Sequence, residues 1–93
     1  MSRKIEPCVA REISEIAGQV PTRWVITEDL FHVLEVRLEY KGWLFWRKLE
    51  RLYPEFRDGL DTTEAQVAWA KKRIIEILVA RWRKAKDRQE FFK

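Results

Sequence analysis

Apolar positions change period along the chain, and each change marks an element. Val9, Ile13, Ile16 and Val20 recur at spacings of four, three and four, one face of a helix. Pro7 suits the first turn of such a helix and Gly18 its C-terminal stop. Pro21 ends the pattern, and Trp24-Val25-Ile26-Thr27 follows as the aromatic and β-branched run of a strand. From Leu34 to Lys41 the alternation is faultless, with Leu34, Val36, Leu38 and Tyr40 on one side and Glu35, Arg37, Glu39 and Lys41 on the other. This predicts a half-buried strand with a solvated charged face, where opposite charges pair along and across strands. A rival helix, capped by Thr27-Glu28-Asp29 with Leu30, Phe31, Leu34 and Leu38 on one face, leaves Arg37 and Lys41 on or beside its apolar side. The strand fits better.

Lys41-Gly42 reads as a turn, and Trp43 to Tyr53 fits two templates. As a helix, Phe45, Trp46, Leu49, Leu52 and Tyr53 share a face, Arg47, Lys48 and Arg51 lie opposite, and Pro54 closes it. As a hairpin return, Tyr40 and Trp43 flank the turn on one side. A strand from Trp43 that gives way to a helical turn satisfies both. Arg57-Asp58-Gly59 is a loop, and Asp61-Thr62-Thr63-Glu64-Ala65-Gln66 opens the last helix with a capping box, Asp61 with Glu64 or Thr63 with Gln66. No Gly or Pro interrupts that helix before about Gln89, a run of roughly 40 Å. It overreaches a domain of this size, so its far end protrudes, folds back or meets a partner. Its core stripe is Val67, Ala70, Ile74, Ile75, Leu78, Trp82 and Ala85. The expected fold is α+β: one domain over residues 1–93, with a short N-terminal helix, a small antiparallel sheet of two or three strands, and a long C-terminal helix packed on the sheet.

Charge sharpens this picture through its distribution. Residues 1–42 carry six Lys/Arg against seven Asp/Glu, residues 43–93 thirteen against eight, and residues 71–88 eight against two. The basicity belongs to the last helix. Cys8 is the only cysteine, which excludes an internal disulfide and fits a reducing, cytoplasmic compartment; it reads as a small apolar residue. No stretch has the length of a signal peptide or a membrane span, so no membrane partner is expected.

Candidate chemistry is thin. His32 is the only histidine, Ser2 and Ser14 are the only serines, and Gly18, Gly42 and Gly59 are isolated, so no phosphate loop is present. No set of side chains has metal-ligand spacing. A non-enzymatic chain without cofactor or metal is the expectation.

The polar face of the last helix offers more. Trp69 falls there, one turn before Lys72 and Arg73, with Arg83 and Lys84 further along. An aromatic beside cations suits a binding hot spot. The bland reading has Trp69 covering the sheet and the cations as solvated charge favoured by the helix dipole. For nucleic acid, the basic row Lys71, Arg81, Lys86 and Arg88 would neutralise phosphates, with Arg47, Lys48 and Arg51 as a second patch. Asp61 and Glu64 at the helix start argue against a double-stranded-RNA reader, which needs cations there. The overlong helix and the Phe91-Phe92-Lys93 tail permit a homodimer without requiring one.

The layout over residues 33–80, with an acidic-capped helix beginning Asp61-Thr62-Thr63-Glu64-Ala65-Gln66-Val67-Ala68-Trp69-Ala70, resembles small phage and prophage proteins of the anti-CRISPR type. That resemblance implies a stoichiometric inhibitor occluding a surface of a larger host complex, and it carries over no site residue. The expected function is association with a protein or nucleoprotein complex through Trp69, Lys72, Arg73, Arg83 and Lys84, with nucleic-acid binding as the alternative.

Overall fold

The computed structural model describes residues 2–54 and 61–91, with side chains through Lys86. The Arg57-Asp58-Gly59 loop, the Phe92-Lys93 tail and the side chains of Arg88 and Phe91 lie outside the described residues. The elements run β1 (Ser2–Pro7), α1 (Arg11–Ile16), β2 (Thr22–Glu28), β3 (Leu34–Lys41), β4 (Trp46–Leu52) and α2 (Thr63–Phe91). The four strands form one antiparallel sheet in chain order, two edge strands around a central pair.

The α+β class and the long terminal helix agree with the sequence, whereas the sheet has four strands among the described residues, not two or three. The extra strand is β1. Ser2-Arg3-Lys4-Ile5-Glu6-Pro7 has almost no apolar signal, and its backbone ladder to β2, from Ser2 opposite Glu28 to Pro7 opposite Arg23, makes it a strand. Pro7 therefore ends β1 instead of opening a helix. The N-terminal helix keeps only Arg11–Ile16, with Ile13 fully buried and Val9 exposed. Its stop is as expected: Gly18 and Gln19 both take left-handed backbone angles, and the Cys8 and Thr22 backbones are joined across the excursion at 3.0 Å.

β3 follows the predicted alternation. Leu34, Val36 and Leu38 are buried with Trp24 and Ile26 of β2 against Ile13 of α1 and Ala70, Ile74 and Leu78 of α2. Cys8 is a free thiol buried in this cluster. Both helices thus cover one face of the sheet, and no described element packs over the other, the open face. Thr62 caps α2, its Oγ1 accepting the Ala65 N–H at 3.1 Å, in place of the expected Asp61–Glu64 or Thr63–Gln66 pairs. Lys71 reaches Glu6 of β1 at 2.6 Å and Arg81 reaches Glu50 of β4 at 2.7 Å, which ties the helix to both edge strands. Lys71 first and then Lys4 hold the Glu6 carboxyl below the usual carboxylate range. The core stripe stops at Leu78. Trp82 and Ala85 are exposed, as is every residue from Ala80 to Lys86, so the helix end overhangs the body.

Trp43 to Tyr53 resolves as a hairpin return, with Gly42–Phe45 as the loop that joins the paired Lys41 and Trp46 and β4 starting only at Trp46. A bulge at Leu49 sits between the Leu38–Glu50 and Glu39–Lys48 pairs. Gly42 is required here by close approach: its N–H donates to the Phe45 carbonyl at 2.9 Å, and a Cβ would stand 2.7 Å from that same oxygen. Gly42→Ala is expected to open the turn and lower the unfolding free energy by about 1–2 kcal/mol, read from the urea midpoint. An unchanged midpoint would mean that the turn relaxes freely.

Candidate binding site

The site builds outward from that hairpin. β3 and β4 carry Lys41 and Trp46 as their last paired residues, and the four-residue loop leaves no inward side for Trp43, Leu44 and Phe45. Trp43 is 91% exposed, Phe45 72% and Leu44 62%. Such side chains are costly to leave in water, and here they stand together on a turn locked by Gly42. Lys41, Arg47 and Lys48 flank them, all exposed, and no carboxylate occurs between Tyr40 and Leu49.

Below the tip, the open face of the sheet is an ion-pair lattice. The register puts Arg23, Arg37, Arg51, Glu35, Glu39, Lys41, Lys48 and Trp46 on this face. Arg23 donates to Glu39 at 2.9 Å, and Arg37 bridges Glu35 at 2.7 Å and Glu39 at 3.4 Å. Arg51 stands directly opposite Arg37, a like-charge pair that Glu35 relieves from 4.0 Å. Glu39 is only 5% exposed, so the charged face expected to be solvated is in part buried. Val25 is buried among these long side chains, not in the main core. Partial burial opposes the charge of Arg37, but Glu35 and then Glu39 outweigh it and hold the guanidinium above its ordinary value. Hydrogen bonding to Glu35 is the main cause that raises the Tyr53 phenol. The Arg23 guanidinium lies 4.1 Å from the centre of the Trp46 ring and Lys41 lies 5.6 Å from it, so the ring next to the exposed tip is held by cations.

The residues singled out on α2 do not form one patch. Trp69 is half-buried and packs against the main core, the covering role of the bland reading. Lys72 and Arg73 are exposed beside it, and Arg73 pairs with Glu76 at 3.4 Å. Arg83 and Lys84 are exposed on the overhang, about 15 Å further along the axis from Arg73. In the predicted phosphate row, Lys71 is engaged by Glu6 and Arg81 by Glu50, while Lys86 lies over the Trp82 ring at 5.5 Å. In the second patch, Lys48 and Arg51 share the open face, and Arg47 points to the other side of β4 across from Tyr40.

Sequence reasoning missed the tip itself. The available signal was the contiguous run Trp43-Leu44-Phe45-Trp46 directly after Gly42: beside a strand whose second face is charged (Glu35, Arg37, Glu39, Lys41), only every second residue of such a run can reach the core, so part of it must face water. As for other chemistry, a cleft of about 400 Å³ between β1 and the first half of α2 is floored by Ile26, Leu34, Val67 and Ala68 and rimmed by the Glu6–Lys71 pair. His32 bonds Glu28 at 3.0 Å in an exposed loop. No group of three or more His, Cys, Asp or Glu that could hold a metal ion occurs among the described residues. Among the same residues, no helix is long and apolar enough to cross a membrane. No protein-family model, curated protein or solved structure matches the chain.

Proposed function

We propose that the chain is a non-enzymatic binding protein that associates stoichiometrically with a larger protein or nucleoprotein complex. One observation carries this reading: three consecutive large apolar side chains, Trp43, Leu44 and Phe45, are held in water on a locked turn between cations. Such a tip suits an apolar pocket with an acidic rim on the partner. The aromatic residues would supply affinity, and Lys41, Arg47 and Lys48 would supply orientation and speed of encounter. In the form that the sequence resemblance implies, the complex is a host defence assembly and the chain its inhibitor. The hot spot moves from Trp69, which has a packing role, to Trp43; Lys72, Arg83 and Lys84 stay as peripheral contacts.

The test is affinity capture from the source cell with tagged wild type, Trp43→Ala/Phe45→Ala and Arg83→Ala/Lys84→Ala, followed by quantitative mass spectrometry. The tip variant is expected to lose at least about 30-fold in affinity for the captured partner, the about 2 kcal/mol of a hot-spot aromatic, with unchanged thermal stability. The helix variant is expected to lose a few-fold. Equal capture by wild type and the tip variant would remove the tip as the site.

Nucleic acid is the second reading, favoured by the Trp46 ring stacked on Arg23 with Lys48 and Lys41 on the same open face. Aromatic rings interleaved with cations are the ingredients of single-strand binding. Titration with labelled DNA and RNA at two salt concentrations decides it, since phosphate contacts weaken steeply with salt. Absence of binding at low salt removes this reading.

A further inference from the structure

The other hairpin of the sheet carries a second exposed apolar tip, of opposite charge. Between β2 and β3 the chain reverses through Asp29–Val33, and the Asp29 carboxylate accepts the N–H groups of Phe31 at 2.8 Å and Val33 at 2.9 Å. A backbone bond from Asp29 to the Val33 carbonyl closes the same loop. The loop is therefore tied down, yet Leu30 is 82% and Phe31 86% exposed. Glu28 and Asp29 flank these side chains. The imidazole of His32 is bonded to Glu28, and Arg3 stands nearby on the open face.

The two tips lie at opposite ends of β3, whose eight residues span about 26 Å. They cannot meet within one chain. We propose that they meet between copies: Trp43 and Phe45 of one chain pack on Leu30 and Phe31 of the next. Lys41, Arg47 and Lys48 then face Glu28 and Asp29. Charge complementarity points to a second copy as the occupant, because each chain presents one basic and one acidic apolar tip. The contact is heterologous. It leaves one free tip of each kind at the ends of any pair, so assembly continues into rings or open chains as concentration rises. Exposed charges at the rim make it weaken with salt. A foreign partner seated on Trp43 competes with the next copy, so capture of that partner and self-assembly exclude each other.

The experiment is sedimentation velocity on the full chain over a wide concentration range, with Leu30→Ser/Phe31→Ser blinding the acidic tip and Trp43→Ser/Phe45→Ser blinding the basic one. Wild type is expected to grow beyond a dimer with concentration and to shrink with added salt. Each variant alone is expected to be monomeric. Mixed, the two are expected to form dimers and nothing larger, because one complementary pair of tips survives. Arg47→Glu/Lys48→Glu, which leaves every apolar residue in place, is a second basic-tip variant and is expected to weaken assembly at least tenfold. A monomeric wild type at every concentration, assembly of either variant alone, or a monomeric mixture would each overturn the proposal. A monomeric wild type that still captures a foreign partner through Trp43 would overturn self-assembly and leave the proposed function standing.

Discussion

Shortening Ile74 to Ala is expected to lower the unfolding free energy by about 3 kcal/mol, the middle of the range for truncating a buried aliphatic side chain. Ile74 is fully buried at the middle of α2, in the cluster that joins both helices to β2 and β3. Its removal takes apolar contact from the sheet and leaves a void that Ala70 is too small to fill and Leu78, one turn on, only partly reaches. In a domain of this size about 3 kcal/mol is a large share of the total stability, and the melting temperature should fall by about 15 °C. Arg83→Ala, on the exposed overhang, is the matched control and should stay within about 0.5 kcal/mol of wild type. Calorimetry of the three proteins checks the pair. A loss under about 1 kcal/mol at Ile74 would mean that the helix is not seated on the sheet as described.

Glu39→Ala ranks second, at about 2 kcal/mol. Glu39 is nearly buried on the open face, where it accepts from both Arg23 and Arg37. Removing it leaves Arg23 largely buried without its carboxylate. Breaking a fully buried pair costs about 3–5 kcal/mol, and the smaller figure follows because Arg37 keeps Glu35 and both arginines retain some access to water. The Arg23→Leu/Glu39→Leu double variant should recover most of the loss, because no charge is then stranded. Denaturant unfolding of the two variants separates a stranded charge from lost packing: no recovery in the double variant would mean that the side-chain stems, not the charges, hold this face. The Trp46 ring should also loosen in Glu39→Ala, since the guanidinium above it loses its anchor. The Trp46 indole N–H resonance, resolved from those of the other four tryptophans, reports that by NMR.

Much of this fold was legible because its best-patterned segments lie where the pattern has a simple cause. β3 is a central strand with one face on the core, so Leu34, Val36 and Leu38 alternate with charges. The first half of α2 lies on the sheet, and its stripe from Val67 to Leu78 appears at helical spacing. Two segments misled for identifiable reasons. In β4 Trp46 lies on the open face while the bulged Leu49 and Leu52 pack toward the core, yet in the sequence the three fall at steps of three and imitate a helix. In β1 a polar edge strand needs no apolar alternation, because its inward Glu6 is satisfied by Lys71, a residue sixty-five positions away. The candidate site was less legible than the fold. Trp69 lies on the polar side of a helical wheel, but a wheel does not show that the main core reaches around to cover it.

Residue order by itself determined the class, the central strand, the stop at Gly18 and the long uninterrupted helix, because periodicity, turn residues and helix propensity act over a few neighbours. Only the tertiary structure decided that the buried stripe of α2 ends at Leu78, that Glu39 is buried between two arginines, and that Trp43, Leu44 and Phe45 stand in water. These are outcomes of where surfaces end. An apolar side chain is inside or outside according to which element packs over it, and that element comes from a distant part of the chain.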